Sequence, residues 1–302
     1  MMTDGTQSPP LSAVQERPAQ TFRLPIMRWF RGPVLLTLPA LAVLVAILAV
    51  PLAVIVIRSL TEPEPGFGNY VWFFSTQINT IVLGRTFWIS AWVTLACLLC
   101  AYPYAFVMSA VGPRLRLVMI LCVLVPFWVS GVVRTLAWVI LLQDSGLINR
   151  AITSLGFESV RLIRTPLGVI IGMTQVLLPF MIMPLYAVMR GIDMRLVQAA
   201  SSLGAHPIRA FLQVYLPLSL PGVFAGSLLV FILALGFYIT PVLLGGPSST
   251  MLSTLVQQQV LSLLNWGRGG AMGVVLLVAT FGVLAVAAPF MKRKYQMAGG
   301  SR

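Results

Sequence analysis

The chain has 302 residues, of which 58% are hydrophobic and only 9% charged, and it carries a formal charge of +13. A soluble domain needs about a quarter of its residues charged, so the composition excludes an ordinary water-soluble fold. It also removes the nucleic-acid partner that so basic a soluble protein would suggest.

Residues 1–33 are rich in Pro, Ser, Thr and Gln, show no hydrophobic period, and turn basic through Arg23, Arg28 and Arg31. That composition predicts a disordered tail. The apolar run that follows is too long for the core of a signal peptide and long enough to span a membrane. Spans are predicted near 34–57, 80–109, 117–142, 165–189, 220–245 and 270–291, at the length that crosses a hydrocarbon core of about 30 Å. The fold class is therefore all-α, an integral membrane protein with six transmembrane helices. Pro103 interrupts the second span and Pro126 the third, where kinks are expected. The glycine pairs Gly168/Gly172, Gly222/Gly226 and Gly269/Gly273 suit close helix packing. Cys97, Cys100 and Cys122 all lie in apolar runs, without the second pair or the histidines of a metal site, and read as small core residues.

Between the first two spans, residues 58–79 carry Tyr70, Trp72, Phe73 and Phe74, read as an interfacial belt. Between the fourth and fifth, residues 190–219 keep a helical pattern without being a span. Leu196, Ala199, Ala200 and Leu203 repeat at helical spacing as one apolar face. Gly204 follows, suited to the left-handed conformation that ends a helix. Pro207 suits the start of a second helix with Ile208, Phe211, Leu212 and Tyr215 on its apolar face, ended by Pro217 and Pro221. The reading is a helical hairpin, facing water on one side.

Basic residues set the orientation. Thirteen fall in the tail, the 110–116 loop, the hairpin and the C-terminal stretch 292–302, and five in the opposite loops. By the positive-inside rule both termini and the hairpin are cytoplasmic.

Little here can do chemistry. The single histidine, His206, sits in the hairpin turn, and neither a Walker A sequence nor a paired-carboxylate or HExxH pattern occurs. A non-catalytic protein without cofactor or metal is expected. All seven acidic residues lie outside the predicted spans, which argues against a proton-coupled carrier, though not against a passive channel. Arg85 and Arg134 fall inside spans. Arg85 reads as snorkelling, whereas Arg134 is either a structural, carbonyl-bonded arginine or part of a solute pathway. Trp128, Trp138, Phe237 and Tyr238 are candidate partners for an ammonium group on that pathway.

The hairpin resembles the coupling loop of bacterial ABC importer permeases, whose motif is Glu-Ala-Ala, three residues, Gly, nine residues, Ile, one residue, Leu-Pro. Ala199, Ala200, Gly204, Leu216 and Pro217 match it; Val214 stands for Ile and Gln198 for Glu. The resemblance implies that Gln198, Ala199, Ala200, Gly204, Ala205, Val214, Leu216 and Pro217 meet an ATPase dimer in the cytoplasm. It also implies a second permease subunit, paralogous or identical, a periplasmic solute-binding protein, and an inner-membrane location. The stretches PFWVSGVVRTLAW, LLQDSGLIN, FYITPVLLGGP and NWGRGGAM are similar to the spermidine/putrescine subgroup. A cationic amine is thus the expected solute, with an opine, an amino-acid derivative or an anion as alternatives.

Overall fold

A computed structural model describes the backbone of residues 33–299 and the side chains of residues 38–287. The tail expected over 1–33, apart from Pro33, and the side chains of the 292–302 stretch lie outside these described residues. The chain divides into two compact units, Met1–Leu52 and Ala53–Arg302. Helix α1 (Pro33–Thr61) begins in the first, where residues 38–52 are helical with exposed side chains. The unbroken apolar run 40–50 within it suits lipid rather than water.

The second unit is organised by α3 (Gln77–Ala110), α7 (Pro166–Met189) and α10 (Leu216–Leu235). Each presents a buried stripe at helical spacing. On α3 it is Ile89, Val93, Cys97, Ala101, Ala105 and Met108; on α7 it is Val169, Met173, Leu177, Met181, Leu185 and Met189. On α10 the stripe is small, running Gly222, Gly226, Val230, Ala234. A Cβ at Gly226 would stand 2.8 Å from the Met181 sulfur, and one at Gly222 would stand 3.2 Å from the Leu185 Cα. Lipid tails give apolar helices no reason to separate from them, so close backbone approach is what holds such helices together. A smaller cluster of Phe73, Val82, Leu252 and Met272 joins α2 (Gly68–Ser75), α3, α12 (Leu252–Gln257) and α13 (Trp266–Gly299).

Among the described residues six helical segments are long and apolar enough to cross a membrane, and two of them depart from the expected bounds by more than a turn or so. The run 117–142 is split into α4 (Pro113–Leu124), a 3-10 turn (Val125–Trp128) and α5 (Gly131–Leu142). Pro126 has no N–H to continue the ladder, and a 12-residue helix spans only about 18 Å. The third apolar segment instead covers 131–154, including α6 (Leu147–Ser154). The fifth does not run 220–245. It begins at Pro207 and ends at Leu235, and a short α11 (Ile239–Leu244) follows the break at Gly236.

Three smaller expectations also change. Cys100 and Cys122 are exposed on the apolar surface, and only Cys97 is a core residue. Phe73 is fully buried rather than part of a belt. Gly273 has no neighbour against which a side chain would press, so the third glycine pair is not a packing motif.

Candidate functional site

The hairpin between α7 and α10 is held by local backbone chemistry. Asp193 caps α8 (Met194–Ser202), its carboxylate accepting from the Arg195 N–H at 2.9 Å. Such a cap satisfies one of the helix's free donors. At the other end Gly204 takes φ +88°. Its N–H donates to the Ser201 carbonyl at 3.0 Å, and the Ala205 N–H donates to the Ala200 carbonyl at 3.1 Å. That pair of bonds is a Schellman closure, which needs the left-handed residue. Ala200 and Ala205 therefore belong to the turn itself. Pro207 then opens α9 (Pro207–Ala210).

From Phe211 to Tyr215 the helix widens into a π-turn, closed by the Leu216 N–H on the Phe211 carbonyl, and it continues into α10. The expected stop at Pro217 and Pro221 does not occur. A proline inside a helix removes one ladder bond and crowds the carbonyl four residues back, and a π-turn just before it is a known accommodation of such a break. Val214, Leu216 and Pro217 thus mark a bulge at the base of a span.

The hairpin's apolar residues divide between two faces. Val197 and Phe211 pack against the main core, and Tyr215 is buried. Leu196, Leu203, Ile208 and Leu212 are exposed, Leu203 at 90%, and Gln198 and Ala199 are exposed beside them. Leu196, Ala199 and Leu203 form the outward face of α8, and no residue of that helix is buried.

The inward face carries aromatic contacts that the motif does not contain. The Phe211 and Tyr215 rings stack at 5.4 Å with 16° between planes. Phe106 of α3 meets both edge-on, at 5.7 Å and 5.1 Å, and Tyr102 meets Phe211 at 6.2 Å. The Tyr102 and Ser219 hydroxyls share a hydrogen bond of 2.8 Å, and those of Ser109 and Tyr215 one of 3.4 Å. Edge-on pairs stabilise by about 0.5–1.5 kcal/mol each beyond area burial. Residues 102, 106 and 109 against 211, 215 and 219 are two helical stripes, a periodicity visible in the sequence but not assignable to each other without the fold.

The expected pathway residues differ in their surroundings. Trp128 is 91% exposed. Trp138 donates from Nε1 to Gln175 at 3.4 Å and, like Phe237, packs against the core. Tyr238 is exposed. Arg134 lies in the first turn of α5 rather than deep within a span, its guanidinium 5.5 Å from the Phe127 ring. Phe127 in turn meets Phe180 edge-on at 5.2 Å. The Arg134 Nε and Nη1 are buried without an acceptor. The Arg85 Nη1 donates to the Pro247 carbonyl at 2.7 Å.

The four stretches that carried the subgroup resemblance are the places where helices break. PFW is the 3-10 turn. In QDSGLIN, the buried Asn149 donates to the carbonyls of Gln143 and Val160 and accepts from the Val160 N–H. In the third stretch the Thr240 hydroxyl lies 3.3 Å from that of Thr135, and the Phe237 carbonyl accepts from Ser253 at 2.7 Å. In NWGRGGAM the Asn265 side chain accepts from the Arg268 N–H at 3.1 Å. These polar groups replace the bonds that an unbroken helix would have made, as non-helical backbone at membrane depth requires.

The structure resembles that of a chain from the bacterial alginate ABC transporter in complex with alginate pentasaccharide-bound periplasmic protein, with a TM-score of 0.70 at 18% identity, over 89% of this chain and 98% of that one. The spermidine/putrescine transport system permease protein PotB of Haemophilus influenzae is 35% identical, over 70% of this chain and 74% of the relative. PotB of Escherichia coli is 34% identical, over 61% and 68%. The family described as binding-protein-dependent transport system inner membrane component matches residues 98–291, which takes in the last part of α3, all of α7 and α10 and the whole hairpin, and the chain belongs to this family of ABC importer permease subunits.

Proposed function

We propose that the chain carries spermidine, putrescine or a related cationic amine inward, powered by a separate ATPase dimer seated on the 190–219 hairpin. A second, paralogous permease completes the pore, and a periplasmic binding protein delivers the solute. Both termini and the hairpin face the cytoplasm, in keeping with thirteen basic residues against five. The observation that carries the coupling role is the exposed apolar face of Leu196, Leu203, Ile208 and Leu212 around Gln198 and Ala199. Apolar patches rimmed by charge mark protein contact sites, and Arg195 and Arg209 are exposed nearby. Polyamine as the solute rests on the two PotB relatives. The test is uptake of labelled spermidine and putrescine by cells holding the complete transporter, with and without this chain; uptake independent of the chain defeats the reading.

One observation favours a second reading. Arg134 keeps two buried nitrogens without an acceptor, and a guanidinium facing the pathway repels a dication. An anionic solute would instead be attracted. Competition by an anionic solute, with spermidine inert, would decide for it.

A further inference from the structure

We propose that Phe106 is a positioning residue for coupling: its ring, wedged edge-on into the stacked Phe211–Tyr215 pair, transmits movement of the hairpin to α3. This rests on the hairpin being the ATPase seat and adds the route by which its motion leaves it. Besides its continuation from α7 and the packing of Val197 on the core, the hairpin's second arm has two attachments to the membrane core. One is covalent, through α10, and passes through the π-turn of residues 211–215, where the hydrogen-bond ladder is interrupted. The other is the aromatic contact with α3. Tyr102, Phe106 and Ser109 on α3 oppose Phe211, Tyr215 and Ser219, so displacement of the hairpin along this seam must carry α3 or break the contact.

The geometry sets the roles. The π-turn puts Phe211 and Tyr215 one above the other with nearly parallel planes, and Phe106 contacts both ring edges, at 89–90° to each. Neither ring shifts without meeting it. Tyr215 is fully enclosed and its hydroxyl is held by Ser109, which fixes its height on α3. Pro103 lies inside α3 next to Tyr102. A helix lacking a ladder bond bends most easily there, so a push at Tyr102 and Phe106 arrives at the weakest point of α3. Beyond it runs the buried stripe from Ala101 back to Ile89 that packs on α7.

The test uses the complete transporter in lipid nanodiscs, with its ATPase, its second permease and spermidine-loaded binding protein. Phe106→Leu keeps an apolar side chain and removes the ring. The ATPase is expected to co-purify in wild-type proportion and unstimulated hydrolysis to be unchanged. Stimulation by the binding protein and spermidine uptake should fall together by roughly 2- to 30-fold, the range of coupling changes reported for single residues. Phe106→Tyr should restore both. Wild-type stimulation in Phe106→Leu, or loss of the ATPase from the complex, overturns the assignment; the latter would make the clasp part of docking. Failure of the wild-type chain to hold any ATPase would instead overturn the docking reading, and the transmission route with it.

Discussion

The three-helix core and the 190–219 hairpin use apolar residues in opposite ways. In α3, α7 and α10 the stripes are buried and the small residues let backbones touch. In α8 nothing is buried, and Leu203 is among the most exposed apolar residues described. The core is specified by volume, whereas the hairpin is specified by backbone: one acid cap, one left-handed glycine and one π-turn. A region shaped by its own hydrogen bonds can leave its apolar side chains free for another protein. Substitutions in the two regions should therefore fail differently, the core through stability and the hairpin through coupling.

The strongest expected effect is in the core. Gly226→Leu forces a side chain into the Met181 contact, where even a Cβ would stand 3.2 Å from a carbonyl oxygen. Overpacking costs about 1–3 kcal/mol, and here the clash is with backbone that cannot rotate away. Thermal unfolding in detergent should show a clear drop in melting temperature and a reduced yield of folded permease. An unchanged melting temperature would mean that α7 and α10 are not held by this approach.

Gly204→Val should separate the regions. No atom lies within 4 Å of a Cβ there, so the site has room, but φ is +88°. A β-branched residue in the left-handed region costs on the order of 1–2 kcal/mol, and relief means reopening the turn. We expect normal insertion and core stability with uptake largely lost. Full uptake would show that the hairpin does not need this closure to dock.

Leu203→Asp comes next in size. The residue touches little in the chain, so stability should stay within about 0.5 kcal/mol, while the ATPase should dissociate more readily at equal concentrations. Equal retention of the ATPase would remove Leu203 from the seat. Labelling of Ser202→Cys in a cysteine-free background belongs with it: a membrane-permeant reagent should be required, and reaction with an impermeant one from the periplasm would reverse the orientation.

How legible these regions were follows from the same contrast. The Gly204 turn could be read directly, because a left-handed glycine after a short apolar period has few other uses. The six apolar segments were equally plain, since length and hydropathy alone define them. Their ends were not. Val125–Val129 is as apolar as the residues around it, and only Pro126 hints that the helix stops and restarts, so hydropathy alone carries the third span across the break and Arg134 too deep into it. The π-turn was invisible because Pro217 and Pro221 read as terminators, while the fold absorbs them one turn earlier. The two faces of α8 merge for a related reason: periodicity groups Leu196, Ala199, Ala200 and Leu203 together, but only the fold distinguishes Val197, packed on the core, and the half-buried Ala200 from the free side. Tyr102 and Phe106 lay in a span whose aromatic residues had no visible partner more than a hundred positions away.

The smallest effect, and the most informative about docking, is expected for Gln198→Glu. Gln198 is exposed, and its backbone carbonyl, which accepts from the Ser202 hydroxyl at 3.1 Å, is untouched by the change. A glutamate there follows Arg195 by three residues, a helical pair worth about 0.2–0.5 kcal/mol, so α8 should be unaffected or slightly firmer. Across the interface the new charge replaces a neutral amide able both to donate and to accept. If the ATPase seat reads only shape and hydrogen bonding at this position, stimulated hydrolysis and uptake should match wild type within a factor of about two, well under the tenfold that 1.4 kcal/mol produces. A larger loss would mean that the seat has been tuned to the amide, and that its facing group carries no compensating positive charge. Measuring the salt dependence of ATPase retention in both variants separates these cases, because a gained charge pair weakens as salt rises whereas an amide contact does not.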